Sequence, residues 1–303
     1  MTFMKNLKVV IALPGENNYL REQEAAAKQT ARRLGVDLAL MNANSDAVTQ
    51  SQQLLEIVQS QSAPRPDAIV VEPVNAMGLP RVAEAAAAAG IAWVVSNAEV
   101  TYLEQLRKTA KVPIFAVSQD HIGIGQLQAR QFTALSPQGG SVLYLRGPMS
   151  NSLASRRAEG IESGKAANLR IKTLKIEWTE QNAVQSISSW LRLSTVHAAD
   201  VDLISSQNTD FIQAARKAFQ EHAHADERDK WLSRLYTAAG TASQIKPLMD
   251  RGVLTAAVVT SLTMDVALEL LVRAIQGGSQ PPEHTFVPAS SLPSLEELSK
   301  KKH

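Results

Sequence analysis

One pattern repeats along this chain from end to end: a short β-branched run, a turn, and then an amphipathic helical stretch. Such alternation commits a sequence to parallel sheets wrapped in helices, because each parallel strand is reached by a crossover that lies on a sheet face. The first part predicts strands over 8–13, 36–41, 68–71, 91–95 and 114–117, with helices over 19–34, 46–61 and 80–89. Gly35 reads as a left-handed C-cap, Ser45 or Asp46 as an N-cap, and Gly90 as a helix stop. The second part predicts strands over 141–145, 171–176, 201–204, 234–237 and 254–259, separated by helices over 152–167, 182–193, 210–222 and 243–251. The strands are nearly continuous apolar runs, as strands covered on both faces should be. A helix over 264–275 ends at Gly277-Gly278, and the proline-rich stretch 281–293 reads as an extended closing segment. Two five-strand units predict two similar lobes, each a parallel sheet flanked by helices, although no residue-level repeat establishes a duplication.

Length and composition agree. At 303 residues the chain suits two domains of ordinary size. Its formal charge of +2 is too small to imply a polyanionic partner, so nucleic acid is not expected. The clustered Lys300, Lys301 and Lys302 read as a polar tail in solvent and inflate the basic character. With no cysteine in the sequence, disulfides, thiolate metal sites and cysteine nucleophiles are excluded. The apolar run at Val9 to Leu13 stops at Pro14-Gly15, too short for a secretion signal, and reads as a first buried strand. No window approaches the roughly 18 apolar residues of a membrane helix, so a soluble chain is expected.

Motifs that would carry catalysis fail on spacing. Gly123-Ile124-Gly125 lacks the third glycine of a dinucleotide loop, position 128 being Gln, and Arg146-Gly147-Pro148 has no phosphate-cradling continuation. Ser163 in Gly160-Ile161-Glu162-Ser163-Gly164 is one residue off a nucleophile elbow, so this segment reads as helix. His222 and His224 would point apart on a helix, within the charged run 221–230 that reads as a solvated face. Asp120-His121 lacks a serine or cysteine partner and reads as structural. No catalytic residue, metal or cofactor is expected.

What remains is a set of polar residues just after strands, where open α/β sheets bind ligands. Glu16, Asn17 and Tyr19 follow the first strand, Ser96 and Asn97 the fourth, and Gln207 and Asn208 the strand ending at Ile204. Each Asn taken alone is also a natural turn residue or cap; their recurrence at equivalent strand ends is what marks the set.

At this point the chain resembles the ribose-type periplasmic binding proteins and the ligand-sensing domains of lac-repressor-like regulators, over nearly its full length. The likeness rests on the order and spacing of Asn17-Asn18-Tyr19-Leu20, Leu34-Gly35-Val36, Pro66-Asp67-Ala68-Ile69-Val70-Val71-Glu72-Pro73, Ala89-Gly90-Ile91, Ser118-Gln119-Asp120 with Gly125, Arg157-Ala158-Glu159-Gly160-Ile161, Asp202 to Asn208, and Asp250 to Ala256. It implies lobes of 1–119 plus 261–288 and 120–260 plus 289–303 around an interlobe ligand cleft. It also implies that Tyr19 and Trp178 stack on the faces of a sugar-like ring, that Asn17 and Asn208 hydrogen-bond it, and that Arg157 offers a guanidinium fork to hydroxyls or a carboxylate.

Three positions depart from the family pattern. Asn97 stands where sugar-binding members usually carry an aspartate, Thr237-Ala238-Ala239 replaces a glycine-phenylalanine-aspartate, and Thr260 replaces a hinge glutamine. An arginine retained without those carboxylates leaves two readings: a ligand that brings its own negative charge, such as a sugar acid, or a neutral sugar held by a rearranged set of contacts, with Glu16 or Asp120 compensating the arginine. The expected function is the solute-binding component of an ABC-type uptake system, working with a membrane permease, monomeric, and periplasmic by the resemblance if a signal peptide was removed, cytoplasmic if Met1 is the native start. The alternative is a cytoplasmic or membrane-linked sensor reporting a metabolite to a regulatory partner. A full repressor is disfavoured, since its DNA-binding head would have to precede a first strand that begins by residue 8.

Overall fold

Burying a parallel strand on both faces requires helices before and after it, and the chain supplies them in strict alternation. The structure, a computed structural model, describes residues 6–61, 64–75, 79–149, 151–177, 179–193 and 195–300. It divides into two units: residues up to Gln119 together with Leu262–Val287, and Asp120–Ser261 together with residues from Pro288 onward.

The first unit runs β1 (Lys8–Leu13), α1 (Asn18–Leu34), β2 (Asp37–Asn42), α2 (Ala47–Gln59), β3 (Ala68–Val71), α3 (Pro80–Ala88), β4 (Ala92–Ser96), α4 (Leu103–Thr109) and β5 (Ile114–Gln119), and regains the chain at α11 (Met264–Gly277) and β11 (His284–Val287). Its sheet has the order β11-β5-β4-β3-β1-β2, every pair parallel. Alternate strand residues feed two cores. Val10, Ile69, Trp93 and Val95 pack beneath α2, α3 and α4, while Ile11, Val70, Val94 and Phe115 pack against α1 and α11.

The second unit runs α5 (His121–Leu135), β6 (Gly140–Arg146), α6 (Ser152–Gly164), β7 (Leu169–Lys175), α7 (Glu180–Leu191), β8 (Leu203–Ser206), α8 (Thr209–His222), α9 (Ala225–Leu232), β9 (Leu235–Gly240), α10 (Ala242–Asp250) and β10 (Ala256–Thr260), and is completed by β12 (Ala289–Leu292) and α12 (Leu295–Lys300). Its order is β12-β10-β9-β8-β6-β7, parallel except for the antiparallel edge strand β12.

Helix punctuation follows local chemistry. Gly35 and Gly278 close α1 and α11 in the left-handed conformation, at φ of 68° and 66°. Asp46 caps α2 by accepting from the Thr49 amide at 2.6 Å. The N-terminus of α11 is satisfied from across the unit: Gln23 Oε1 accepts from both the Thr263 and Met264 amides at 3.1 Å. Its Nε2 donates to Thr263 Oγ1 at 2.8 Å and to the Tyr19 hydroxyl at 2.5 Å. Gln23 is fully buried, so Gln23→Ala would strand two helix-terminal N–H groups and should lower unfolding free energy by about 2–4 kcal/mol. Urea unfolding checks this; a loss under 1 kcal/mol would mean the amides find other partners.

Four expectations are corrected. Each sheet has six strands, because the closing segment contributes one edge strand to each. Helix α5 lies over a stretch with no helix expected. Its glycines weaken the propensity signal, and its buried Gln128 and Gln131, which bond Ser206 O and Ala257 O at 2.8 Å, replace apolar residues in the periodicity. The charged run 221–230 is largely exposed, as a solvated face should be, but it also carries most of α9, a helix not expected there, anchored by Trp231, which stacks on Phe219 with ring centroids 4.9 Å apart. Lys300 ends helix α12, whose Leu298 is completely buried beside Phe132 and Leu135; Lys301 and Lys302 lie outside the described residues.

Helices α5 and α6 meet through glycines. A Cβ built on Gly125 would lie 2.1 Å from Arg157 O, and one on Gly160 would lie 2.1 Å from Ile122 O. The backbones therefore approach more closely than any side chain permits, and this contact sets where the first turns of α6 present their polar groups.

Candidate functional site

Both sheets end, at their carboxyl edges, in buried polar side chains. In the first unit the strand order reverses direction between β1 and β3, the place where a parallel sheet opens a crevice for a ligand. Glu72 directly follows β3 and Asn97 directly follows β4. Asn97 takes φ of 53°, a left-handed conformation that asparagine tolerates better than most residues, and this turns its side chain onto Glu72. Asn97 Nδ2 donates to Glu72 Oε1 at 2.9 Å, with both residues buried. Burial raises the Glu72 carboxyl to about 7 from the usual 4.5, against the lowering effect of the Asn97 bond. Gln50 holds the Glu72 carbonyl from α2 at 2.9 Å.

Beside this pair runs a second network. The Tyr19 hydroxyl accepts from Gln23, and from Gln119 Nε2 at 3.3 Å, while Ser96 Oγ and Thr263 Oγ1 lie 2.7 Å apart. Asn17 begins α1, its Oδ1 accepting from the Leu20 amide at 2.8 Å. Glu16, before it, is exposed.

In the second unit Arg157 is buried on α6. Its Nη1 donates to the Gln207 carbonyl at 2.6 Å and its Nε to His121 Nδ1 at 3.4 Å. Gln207 is itself fixed twice, accepting from the Gly147 amide at 3.0 Å and donating to Ala154 O at 2.8 Å. One glutamine thus ties the end of β8 to the loop after β6, to the start of α6 and to Arg157. Asn208 caps α8 by accepting from the Phe211 amide at 2.8 Å. Thr260 ends β10 as a buried side chain paired with Ala289.

The sequence-derived residues fall into groups. Tyr19 and Asn97 join buried polar networks in the first unit, and Arg157 does so in the second. Asn17 and Asn208 both spend their side-chain oxygens as helix caps, which leaves the amide N–H groups as what each could offer a ligand. Asp120, suggested as a counter-charge, caps α5 by accepting from the Gly123 amide at 2.8 Å. Trp178 lies outside the described residues. Gln207, marked by its place after a strand, lies in the network of the second unit, whereas Glu72 was not singled out as a site residue; its signal was a carboxylate placed directly after an otherwise wholly apolar strand.

Residues 9–279 match the sequence profile of the periplasmic binding protein domain. The chain belongs to this family. Among curated proteins it is 27% identical, over 163 residues and 52% of its length, to a Rhizobium meliloti protein named for rhizopine binding, and it spans about half, 50%, of that relative. Among solved structures it resembles a galactofuranose binding protein, at TM-score 0.80 and 20% identity over 98% of each chain. It also resembles an ABC transporter periplasmic solute binding protein from Actinobacillus succinogenes 130z with bound D-allose, at TM-score 0.80 and 16% identity over 98% of this chain and 100% of that one. A fructose binding periplasmic domain of a hybrid two component system matches at TM-score 0.76 and 14% identity, over 97% and 93% of the two chains. These structural likenesses establish the shared two-lobed fold of this periplasmic binding protein. Among its described residues no helix is long and apolar enough to cross a membrane.

Proposed function

We propose that this periplasmic binding protein takes up one sugar- or polyol-sized molecule, performs no chemistry on it, and delivers it to a membrane permease of the ABC type. The observation that carries the reading is the placement of buried polar groups, Glu72 with Asn97 and Arg157 with Gln207, at the carboxyl edges of two parallel sheets. The relatives named for sugar binding support it. Ligand binding would act by stabilising one conformation out of several, so the signal to the permease is a shift in population. Periplasmic residence goes with this reading.

The specific motive for a sugar acid is weaker than the sequence suggested, because Arg157 is bonded to a backbone carbonyl and to an imidazole within its own unit. Sugar acids therefore belong in the test as one class among several. A sensor role is the second reading, favoured by the likeness to a binding domain of a two component system.

The test is a thermal-shift screen against neutral sugars, polyols, amino sugars, sugar acids and amino acids, since a ligand bound only by the folded state raises the melting temperature by mass action. One carbohydrate-like class should respond. Arg157→Ala should weaken that ligand by roughly 30-fold or more, the loss expected when a charged hydrogen-bonding group is removed from a buried site. Response to amino acids alone would overturn the assignment.

A further inference from the structure

A cavity of about 240 Å³ opens on the second unit at the amino-terminal ends of β6 and β7 and just ahead of β8. It lies at the opposite edge of the sheet from Arg157 and Gln207, a strand length away: β6 runs 7 residues from Gly140 to Arg146, roughly 20 Å. Its walls include Ser141 of β6, Arg170 and Lys172 of β7, Trp190 of α7, and His197 and Asp200 from the segment before β8. The function proposed above makes no use of it.

The side chains around this cavity offer donors in excess of acceptors. Arg170 is tied along the sheet, its Nε and Nη2 both donating to Ser141 Oγ, at 3.4 and 3.1 Å. A hydroxyl that accepts twice keeps its own proton to donate, and the guanidinium keeps its remaining N–H groups. Lys172, two residues on and on the same face of β7, holds its ammonium 5.3 Å from the centre of the Trp190 ring. Trp190 is 8% exposed and lines the cavity, yet no acceptor among the described residues bonds its indole N–H. An indole so deeply buried ordinarily finds a partner for that group. Neither Arg170 nor Lys172 forms an ion pair among the described residues, and Asp200, the sole carboxylate in this lining, pairs with neither. Cations on an edge strand commonly serve to repel other strands. That role calls for side chains splayed into solvent, not for a guanidinium held against a hydroxyl and an ammonium held over an indole.

Two positioned cations, a hydroxyl and an indole N–H around one cavity suit an anion rich in acceptor oxygens. The volume is below the roughly 300–1,000 Å³ of sites for drug-sized molecules, so the occupant is small. The donors come from different elements, β6, β7 and α7, and therefore from different directions. A carboxylate presents two oxygens in one plane, whereas a phosphate group presents its oxygens tetrahedrally and can meet all of them. We propose that this cavity is a phosphate-binding site, taking the free ion or a small phosphomonoester, with Arg170 and Lys172 supplying the charge and Trp190 a directional N–H. Because Arg170 and Lys172 are already held by Ser141 and the Trp190 ring, little side-chain freedom is lost on binding. The site is independent of the carbohydrate reading and stands or falls without it.

Nuclear magnetic resonance of the isotope-labelled protein tests this, since its 4 tryptophans give separate indole N–H signals and Trp190→Phe identifies the one concerned. Inorganic phosphate and glucose 6-phosphate are titrated at constant ionic strength, with chloride, acetate and glucose as comparisons. The expected result is a saturable shift of the Trp190 signal with phosphate or its ester and none with chloride or glucose. The affinity should fall about tenfold or more in Arg170→Gln and in Lys172→Gln, as the loss of a charge-assisted hydrogen bond implies. Both variants replace exposed side chains, and thermal unfolding without added anion checks that they fold. Tighter binding of the ion or of the ester tells which of the two the site is built for. A Trp190 signal that moves no more than the other indoles, a shift that persists undiminished in both variants, or acetate bound as tightly as phosphate overturns the proposal.

Discussion

Gly160→Ala should destabilise the second unit by about 3 kcal/mol or more, one of the largest effects available from adding a single methyl group. The added carbon would sit 2.1 Å from Ile122 O and within 3.0 Å of the Gly125 backbone, and backbone atoms cannot swing aside as a side-chain tip can. The helices must separate, which opens the packing of Phe132 and Ile161 behind them. Gly125→Ala meets Arg157 O at the same 2.1 Å and should have a comparable effect, with weaker ligand binding added because Arg157 moves with the displaced backbone. Gly277 supplies the control. A Cβ there would meet only Ser279 Oγ, at 3.9 Å, so Gly277→Ala should be neutral or gain several tenths of a kcal/mol from helix propensity. Chemical denaturation of the three variants decides the matter, and equal stability of Gly160→Ala and Gly277→Ala would show that the helices part at little expense.

The second large effect depends on pH. Glu72 has its folded-state ionisation raised to about 7 from 4.5. Below 4.5 the carboxyl is protonated in folded and unfolded chains alike and contributes no difference. As pH rises from there the unfolded chain sheds the proton first, so the folded state loses stability steadily until the folded carboxyl also ionises near 7. That interval corresponds to roughly 3 kcal/mol at pH 8. Glu72→Gln keeps an acceptor for the Asn97 amide and removes the ionisation. It should therefore match the parent near pH 4 and exceed it by an amount approaching ~3 kcal/mol at pH 8. Urea denaturation across this range gives the difference directly. A gap that does not grow with pH would mean that the carboxylate is already compensated in the folded protein.

The architecture was legible because parallel strands buried on both faces need apolar runs, and nearly every such run here is bounded by a glycine, a proline or a capping residue. The strand at 8–13 and that at 68–71 agree residue for residue with β1 and β3. What escaped was structure whose inward face is polar. Helix α5 turns Gln128 and Gln131 to the sheet, and edge strands β11 and β12 fully bury only Val287 between them, so neither carries apolar periodicity. The site was legible by position and less so by role. Strand ends marked where buried polar side chains gather, but a sequence does not show that the oxygens of Asn17 and Asn208 are taken by helix amides. Nor does it show that Asn97 turns back onto a neighbouring strand, since that depends on one positive φ and on a register between β3 and β4 that no local signal encodes. Glu72 was visible as a letter and silent as chemistry until its surroundings were known.

Strands β11 and β12 are separated by Pro288 alone, yet one completes the first sheet and the other the second. A chain emerging from a ribosome therefore makes all of residues 120–261 before it makes the helix and edge strand that finish the sheet begun at Lys8. Neither half is a contiguous gene fragment, and a nascent chain stopped between Thr260 and His284 carries two sheets that each still lack a border. The amino-terminal half must wait, its edge at β5 unpaired, while the later half is synthesised. Whatever holds that open edge apart from other chains in the interval guards the step at which this fold is most exposed to aggregation.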